Sequence, residues 1–326
     1  MPIIRHVAVV FRIAAGPRLG FGHLVRCRAL ARALGVVPRV SIRGTAATRR
    51  AAARLGARVL DGGPRLLGRE RPHLLVVDDP SAIEARRWVS AARRRGIPVA
   101  SIHDAGLARV RADLVIDGSV RTAPSADATR LFGPRYAVID PRLSASGTRR
   151  RAVAGRVVVA VGGGAHVFSL VPAVVAALAR RVPGLDIRVA AGFTPRPLRP
   201  ALPAGRWLAP GQLGRAMSNA HLAIVAGGIT AYEACALGVP AVAVSVVPAQ
   251  QPTVRALARR GAAVDGGPLG TAAAASRVAG HTSRLLASPA AQRRLAANGR
   301  CLVDGRGAAR VAVALRALAR AGGPRG

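Results

Sequence analysis

A glycine-rich segment that contains a histidine offers the first candidate chemistry in the sequence. Gly20-Phe21-Gly22-His23 lies between an apolar run and a helical pattern. Glycines at such a turn, Gly20 and Gly22 here, let the backbone approach a ligand closely, and the first N–H groups of a helix can bind an anion. His23 would stand in the first helical turn, where the helix dipole disfavours the imidazolium. We expect a neutral imidazole that accepts a proton from water or a hydroxyl group; the alternative is a histidine that only caps or packs at the helix start.

A second glycine segment, Gly227-Gly228-Ile229-Thr230-Ala231-Tyr232-Glu233, is the most specific pattern in the chain. It follows an apolar run and opens a helical pattern. The two glycines and the helix start predict a diphosphate cradle, and Glu233 is placed to accept hydrogen bonds from both ribose hydroxyls of a nucleotide. Thr230 and Glu233 also have the spacing of a capping box, which would satisfy two backbone donors without a ligand. The preceding glycine pair, Gly227 and Gly228, favours the ligand-binding interpretation.

Acidic side chains follow two apolar runs in the first half of the chain. Asp78 and Asp79 end one run, and Asp104 closely follows another. Carboxylates at the carboxyl ends of parallel strands face the ligand crevice of an open sheet. These groups are therefore candidates to orient His23 or to bind hydroxyl groups of a substrate. A helix N-cap role explains Asp79 equally well, because Pro80 and a helical pattern come next.

Two further loops of the second half are candidate ligand contacts. Gly162-Gly163-Gly164 opens the second half in the place equivalent to the first glycine loop. It predicts a turn, and its symmetry with the first loop adds Gly163 and Gly164 to the candidate site. Gln250 and Gln251 precede a helical pattern. Their amides suit hydroxyl or N-acetyl groups, although ordinary loop residues would look the same in sequence.

Strand-like apolar runs alternate with helical patterns along the chain, which is typical of parallel sheets covered by helices. The predicted strands are residues 7–14, 39–42, 74–77, 99–102, 114–116, 136–139, 156–161, 186–190, 222–225 and 241–246. The predicted helices are residues 23–34, 45–55, 82–95, 169–181, 212–218, 230–237 and 251–260, and three more helices close the chain, the last at about 307–320.

The succession of strand, glycine loop and helix occurs twice, which predicts two domains. A chain of 326 residues also exceeds what one hydrophobic core usually serves. The polar, basic stretch at residues 144–154 is the predicted linker. We place one Rossmann-like domain at residues 1–147 and another at 155–326, with the last helix a candidate to pack back toward the first domain. Two doubly wound sheets predict a cleft at their carboxyl ends.

The formal net charge of +36 is of the size found in proteins that bind nucleic acid or anionic membranes. The chain contains no lysine, however, and its arginines are spread along helical patterns. Aromatic residues, which stack on bases, make up only 3% of the sequence. Compositional bias thus explains the charge better, and we expect no specific nucleic-acid partner. Peripheral contact with an anionic membrane stays an alternative.

The cysteines and the apolar runs favour a cytoplasmic protein. Cys27, Cys235 and Cys301 form neither a disulfide framework nor a zinc-binding pattern. No apolar run reaches the roughly 18 residues that a membrane span needs, and the first run lacks a signal-peptide cleavage site. The sequence leaves the oligomeric state open.

Six segments, in one order along most of the chain, carry a family resemblance. They are GFGHLVRCRALARAL, LLVVDDP, ADLVIDGSV, RYAVIDPRL, VVVAVGGG and AIVAGGITAYEACALGVPAVAVSVVPAQQ. The chain resembles the UDP-sugar hydrolases of the pseudaminic-acid pathway and the related spore-coat polysaccharide proteins. More distantly, it resembles the N-acetylglucosaminyltransferase of peptidoglycan synthesis. The resemblance implies a GT-B-like α/β fold.

The resemblance also implies an activity, namely hydrolysis of a UDP-linked diacetamido-trideoxyhexose at the sugar–phosphate bond with release of UDP. The family's loop histidine corresponds to His23, which would activate water. Its ribose-binding glutamate corresponds to Glu233, and its diphosphate loop to Gly227 and Gly228. No metal or other cofactor is expected, because helix termini and backbone N–H groups can neutralise the diphosphate.

The chain departs from the family pattern at sugar-side positions. Asp78-Asp79-Pro80 stands where the family has Asp-His-Tyr, and Gln250-Gln251 stands for an Asn-Gln pair. Gly163-Gly164 is followed by Ala165-His166 where the family often has Gly-Gly-x-Asp. These changes affect sugar contacts more than nucleotide contacts. We therefore expect nucleotide binding to be better kept than the family's sugar specificity.

Three functions fit these patterns. The first is a nucleotide-sugar hydrolase with water as the acceptor. The second is a glycosyltransferase with the same donor site that moves the sugar to a hydroxyl or a lipid-linked acceptor. The third is a non-catalytic protein that binds a nucleotide sugar, for which intact binding without nucleotide release would be diagnostic.

Overall fold

The computed structural model describes residues 7–17, 19–103, 110–125, 127–145, 152–162, 169–192, 199–202, 204–208 and 211–322. The chain divides into two compact units. The first comprises Met1–Gly16, Gly22–Pro141 and Arg306–Gly326, and the second comprises Pro17–Phe21 and Arg142–Gly305. The last helix thus belongs to the first unit; the sequence-based division placed it within residues 155–326 but named it a candidate to pack back toward the first domain.

The first unit is built on a parallel sheet covered by helices. Its strands are β1 (Val9–Ala14), β2 (Arg39–Arg43), β3 (Arg58–Val59), β4 (Leu74–Asp78), β5 (Val99–Ile102), β6 (Leu114–Asp117) and β7 (Arg130–Phe132). Its helices are α1 (Gly22–Leu34), α2 (Ala46–Arg54), α3 (Leu66–Glu70), α4 (Ala82–Arg93) and α5 (Pro141–Ala145, whose last residues belong to the second unit), together with the closing helix α12 (Gly307–Ala321). Within the described residues the strand order is β3-β2-β1-β4-β5-β6-β7, with every pairing parallel.

The second unit repeats this plan with its own sheet. Its strands are β8 (Arg156–Ala160), β9 (Asp186–Val189), β10 (Gly205–Trp207), β11 (Leu222–Ala226), β12 (Ala241–Ser245) and β13 (Val264–Pro268). Its helices are α6 (Val171–Arg181), α7 (Leu213–Ser218), α8 (Ile229–Leu237), α9 (Gln251–Arg259), α10 (Ala272–Leu286) and α11 (Pro289–Leu302). In the described part of this unit the order is β10-β9-β8-β11-β12-β13, again all parallel.

The central strands are buried along their whole length. Every residue of β1, β4, β11 and β12 is buried, because helices cover both faces of each sheet. Strands in this situation are near-continuous apolar runs instead of alternating ones, which is why the sequence pattern reveals them. Aliphatic side chains dominate both cores, and the largest fully buried side chain is Trp88 of α4.

Each sheet has a topological switch point, where successive connections leave in opposite directions. In the first unit it lies between β1 and β4, and in the second between β8 and β11. Open α/β sheets bind ligands outside the carboxyl ends of the strands at such points. The loops after β1, β4 and β11 are therefore the segments at which this topology predicts a ligand site.

The structure corrects the sequence-based prediction at the weaker elements. The strand predicted at residues 136–139 is wrong: a 3₁₀ turn at Pro134–Tyr136 leads into an extended segment that joins no sheet. The predicted linker begins too early, because Ser144 and Ala145 belong to α5. Four strands were missed, namely β3, β7, β10 and β13. Within the described part of the chain, no helix has the length and apolar character to cross a membrane.

Candidate functional site

The carboxyl edge of the first sheet brings two predicted site residues together. His23 is the second residue of α1, and Asp78 is the last residue of β4. His23 Nδ1 lies 2.8 Å from Asp78 Oδ1. The two side chains are 12% and 3% exposed, so the pair is largely shielded from solvent while the histidine keeps some access. This geometry suits a carboxylate that orients an imidazole.

Arg26 completes the cluster, and the sequence analysis missed it. It donates from Nε to Asp78 Oδ2 at 2.8 Å and from Nη2 to Asp78 Oδ1 at 2.5 Å. Its Nη2 also lies 3.0 Å from His23 Nδ1. Arg26 is three residues after His23 on α1, a spacing that puts both side chains on one helix face. That spacing is present in the sequence, but arginine is so abundant in this chain that the spacing alone does not single out Arg26.

Asp78 is held as a carboxylate. Burial alone would raise its pKa, but the charges of Arg26 and His23 and the hydrogen bonds that both make outweigh burial. The pKa of Asp78 consequently falls well below its usual range. An ionised Asp78 can accept a hydrogen bond from a protonated Nδ1 of His23, and in that tautomer Nε2 is the basic nitrogen of the neutral ring.

Asp79 points to different partners. Its carboxylate accepts hydrogen bonds from Arg43 Nη2 at 2.6 Å and from the Ser81 backbone N–H at 3.0 Å, and it lies 3.3 Å from Arg12 Nε. The alternative that Asp79 caps the next helix is wrong, because Ser81 is the N-cap of α4 and accepts from the Glu84 N–H. The structure thus separates the neighbours: Asp78 contacts His23, and Asp79 ties the end of β4 to two arginines.

Arg12 of β1 lies at the centre of a buried charge network beneath this edge. Its guanidinium pairs with Asp79 and Glu84, donates to Ser41 Oγ, and lies 5.1 Å from the ring centroid of Trp88. Burial lowers the pKa of Arg12, although Asp79 and Glu84 counteract this effect. The network links β1, β2, β4 and α4, and so it holds the strand end that carries Asp78.

The first glycine loop has the predicted relation to α1. Gly20 adopts a φ of +77°, a left-handed conformation that favours glycine, and Gly22 is the first residue of the helix. His23 therefore stands in the first helical turn, as predicted. The pairing with Asp78 is an additional influence on its charge, because a carboxylate favours the imidazolium whereas the helix dipole disfavours it.

In the second unit, Gly227 and Gly228 connect β11 to α8, and packing demands the first of them. A Cβ on Gly227 would lie 2.8 Å from Val254 Cγ2 and 2.9 Å from the Gln250 carbonyl oxygen. Their own N–H groups are engaged: Gly227 donates to the Val244 carbonyl and Gly228 to that of Ala226. Those two N–H groups cannot form the predicted cradle without rearrangement, so the N–H groups of the first turn of α8 are the better anion donors.

The capping-box alternative for Thr230 and Glu233 is wrong. The N-cap of α8 is Gly228, which makes no side-chain capping bond, and Thr230 is the second helical residue. A capping box needs its threonine at the N-cap itself. Glu233 lies one turn into α8 and is only 8% exposed. Its buried carboxylate is thus not explained by helix capping.

The two glutamines differ in what they contact. Gln250 ends the 3₁₀ turn Pro248–Gln250, and its Oε1 accepts from the Val246 N–H at 3.0 Å. This bond fixes the amide, and Gln250 Nε2 lies 3.8 Å from the point that a Cβ on Gly228 would occupy. The side chain therefore reaches the N-terminus of α8. Gln251 begins α9 and is half-buried.

Three candidate residues, Gly163, Gly164 and Asp104, lie outside the described residues. Within the described part, no group of three or more His, Cys, Asp or Glu side chains is arranged to hold a metal ion. Cys27 and Cys235 are buried free thiols and Cys301 is an exposed one. Burial raises the pKa of Cys235 to about 12, so this thiol is not a nucleophile.

Two parallel α/β units with these strand orders define a GT-B-like fold, the architecture of a class of glycosyltransferases, and solved structures agree. The chain matches MurG of Acinetobacter baumannii with a TM-score of 0.61 and 17% identity, covering 95% of this chain and 99% of that one. It matches the spinosyn rhamnosyltransferase SpnG with a TM-score of 0.63 and 20% identity, covering 96% and 100%. It matches MnaA of S. aureus, in a co-structure with UDP, with a TM-score of 0.62 and 11% identity, covering 93% and 95%. These TM-scores over nearly the whole chain show the fold, and at such low sequence identity they show the fold alone.

Sequence comparison adds one distant relative. The chain is 41% identical over 102 residues to the spore coat polysaccharide biosynthesis protein SpsG of Bacillus subtilis, a region that spans 31% of this chain and 30% of that protein. No protein-family model matches the chain. The similarity is thus local, and it points in the same direction as the spore-coat resemblance of the sequence motifs.

Proposed function

We propose that the chain is a nucleotide-sugar enzyme of polysaccharide biosynthesis that hydrolyses a UDP-activated sugar at its anomeric carbon and releases UDP. The observation that carries this proposal is the contact of 2.8 Å between His23 Nδ1 and Asp78 Oδ1 at the switch point of the first sheet. An imidazole oriented by a buried carboxylate is the usual arrangement of a general base.

The reaction needs little more than a base and a stabilised leaving group. His23 Nε2 takes a proton from water while the water oxygen forms a bond to the anomeric carbon. The bond between that carbon and the β-phosphate oxygen breaks, and its electron pair leaves with UDP. The resulting imidazolium is stabilised by Asp78. In this scheme Asp79 has a structural role at the end of β4, because its carboxylate forms ion pairs with Arg12 and Arg43.

The second unit would recognise the nucleotide. The N–H groups at the start of α8 suit the diphosphate, Glu233 suits the ribose hydroxyls, and Gln250 Nε2 suits a phosphate or sugar oxygen at the same helix end. The similar MnaA structure is a co-structure with UDP, which supports a nucleoside diphosphate as the ligand class. A metal is not required, because helix N–H groups neutralise part of the diphosphate charge. By the motif resemblance, the sugar would be an acetamido-deoxyhexose.

Glycosyl transfer is the second candidate, and the similarity to SpnG and MurG favours it. In that reaction His23 would deprotonate an acceptor hydroxyl instead of water, with the same leaving group. Hydrolysis is preferred because the sequence motifs resemble those of the hydrolase family and of the related spore-coat proteins, and the local similarity to SpsG supports the spore-coat part of that resemblance.

The test is nucleotide release from a panel of UDP-, CDP- and GDP-sugars in ¹⁸O-labelled water, with the His23→Gln variant as the matched control. Hydrolysis predicts UDP release without an added acceptor, and the released UDP should carry no ¹⁸O because the bond between the anomeric carbon and the phosphate oxygen breaks. Release that begins only when a hydroxyl acceptor is added would identify a transferase. Tight UDP-sugar binding with no release under either condition would identify a non-catalytic binding protein.

A further inference from the structure

Arg26 contacts both members of the His23–Asp78 pair, but the reaction proposed above assigns no role to it. Its guanidinium donates to both carboxylate oxygens of Asp78, at 2.8 Å and 2.5 Å, and its Nη2 lies 3.0 Å from His23 Nδ1. The Arg26 side chain is 16% exposed and Asp78 is 3% exposed, so solvent screens this triad only weakly.

For a neutral His23 ring, the three distances favour one of the two tautomers. A guanidinium carries only donors and an ionised carboxylate only acceptors. If His23 Nδ1 accepted a hydrogen bond from Arg26, it would carry a lone pair facing the Asp78 oxygen 2.8 Å away, which is repulsive. If Nδ1 is protonated, it donates to Asp78 while Arg26 donates to the same carboxylate. The neutral ring is therefore the Nδ1–H tautomer, and its basic nitrogen is Nε2.

The charge of Arg26 also acts on how readily the ring takes up a second proton. Asp78 alone would stabilise the imidazolium and keep His23 protonated to higher pH, where it could not serve as a base. Arg26 offsets that charge through its two hydrogen bonds to Asp78, and it places a positive charge directly beside Nδ1. Both effects favour the neutral ring.

The geometry points to Arg26 as a positioning residue that keeps His23 neutral and in the Nδ1–H tautomer near neutral pH. The functional meaning of this role rests on the proposed use of His23 as the base. The protonation role itself does not depend on that use, because it concerns the free protein.

Among the described residues, several other charged or titratable groups near this edge have partners of their own. On α1, burial first and then Asp78 raise the pKa of the Cys27 thiol, which stays protonated. Next along the chain from β4, Asp79 is bound by Arg12 and Arg43. On α12, Arg316 donates to the Ala33 carbonyl at the opposite end of α1. His103 follows β5, which lies on the far side of β4 from β1, and its backbone N–H donates to the Ile116 carbonyl. Among the described contacts, Asp78 and Arg26 are opposing charges that both lie within hydrogen-bond distance of His23 Nδ1.

The test is an NMR titration of the full chain with ¹⁵N-labelled histidine, with the His23 signals assigned by their loss in His23→Gln. The wild-type ring should show the Nδ1–H tautomer when neutral. In Arg26→Met the titration midpoint of His23 should rise by about one pH unit, a tenfold gain in proton affinity, since the charge that opposes protonation is gone. Arg26→Lys keeps the charge and should move the midpoint less than Arg26→Met does.

An unchanged or lowered midpoint in Arg26→Met, or a neutral Nε2–H ring in the wild type, would overturn the assignment. The tautomer measurement needs no substitution, so it decides the question even if Arg26→Met does not fold. Where the enzyme releases nucleotide, the acid limb of its kcat/KM profile should follow the same shift. A chain that releases no nucleotide but shows the predicted titration would refute the proposed function and leave the role of Arg26 intact.

Discussion

His23 Nδ1 and Asp78 Oδ1 lie 2.8 Å apart although the two residues are separated by 55 positions in the chain. Parallel pairing of β1 with β4 creates this contact, because it brings the loop that follows β1 to the end of β4. The connections on either side of these strands run in opposite directions, which opens a crevice at that edge. The topology of the first unit therefore accounts for the proximity of the two chain segments that carry the pair.

The first prediction concerns His23 as the base. His23→Gln keeps a polar side chain but removes the group that accepts the proton. For a UDP-sugar that the wild type hydrolyses, we expect kcat to fall by about 10²- to 10⁴-fold, the usual contribution of a general base. Nucleotide affinity, measured by calorimetry with UDP, should stay the same, because the substitution leaves the proposed nucleotide contacts of α8 unchanged. His281→Gln, which changes a half-buried histidine of α10, is the matched control and should keep full activity.

Asp78 should make the stability of the chain sensitive to acid. The pKa of Asp78 is depressed in the folded state, whereas an unfolded chain has an aspartate pKa of about 3.9. Its contribution to the free energy of unfolding is therefore complete above that pH and is lost as the pH falls toward the folded-state value.

The measurement is urea denaturation of the wild type and Asp78→Asn from pH 7 to pH 3. The variant should be less stable at pH 7, and the difference should narrow below about pH 4. Asp61→Asn, which changes an exposed carboxylate outside the cluster, should show no such narrowing. A difference between wild type and Asp78→Asn that stays constant over the whole range would contradict the ion-pair origin of the stability.

The fold could be predicted from the sequence wherever a buried strand is a nearly continuous run of apolar residues. The central strands β1, β4, β8 and β11 are of this kind, and their bounds agree with the prediction to within two residues. The missed strands are short or contain glycine and proline, as β3 with two residues and β13 with the sequence VDGGP do. Their pairing is imposed by the neighbouring strand and not by their own side chains, so no local pattern reveals them.

The candidate site was predictable only in part, for a similar reason. His23 and Asp78 follow predicted strands, and parallel topology brings such positions together. Arg26 has an informative spacing from His23, but basic residues number 50 in this chain and most of them are solvated. Only the distances to Asp78 distinguish Arg26 from the others. Likewise, the sequence could not show that the N–H groups of Gly227 and Gly228 are already bonded to carbonyl groups.

Glu233 should determine how the second unit recognises ribose. Glu233→Gln removes the charge that strengthens hydrogen bonds to hydroxyl groups, each worth about 1.5–3 kcal/mol. We expect UDP to bind about 10- to 100-fold more weakly to the variant in calorimetry. The control is a second ligand, 2′-deoxy-UDP, which lacks one of the two ribose hydroxyls. Glu233→Gln should therefore weaken the binding of 2′-deoxy-UDP less than it weakens the binding of UDP. An equal loss for both ligands would mean that Glu233 acts through the fold and not through the 2′-hydroxyl.

Gly227 and Gly228 form a matched pair for testing which glycine of this turn is required by packing. Gly227→Ala would press a methyl group against Val254 Cγ2 and the Gln250 carbonyl oxygen, at 2.8 Å and 2.9 Å, so α9 must shift away from β11. Overpacking of this kind costs about 1–3 kcal/mol of unfolding free energy, and UDP affinity should fall with it because Gln250 moves. Gly228→Ala meets only Gln250 Nε2 at 3.8 Å and should be the more stable of the two variants in chemical denaturation. If Gly228→Ala were instead the more damaging change to stability, the close packing of β11 against α9 would not be what requires glycine in this turn.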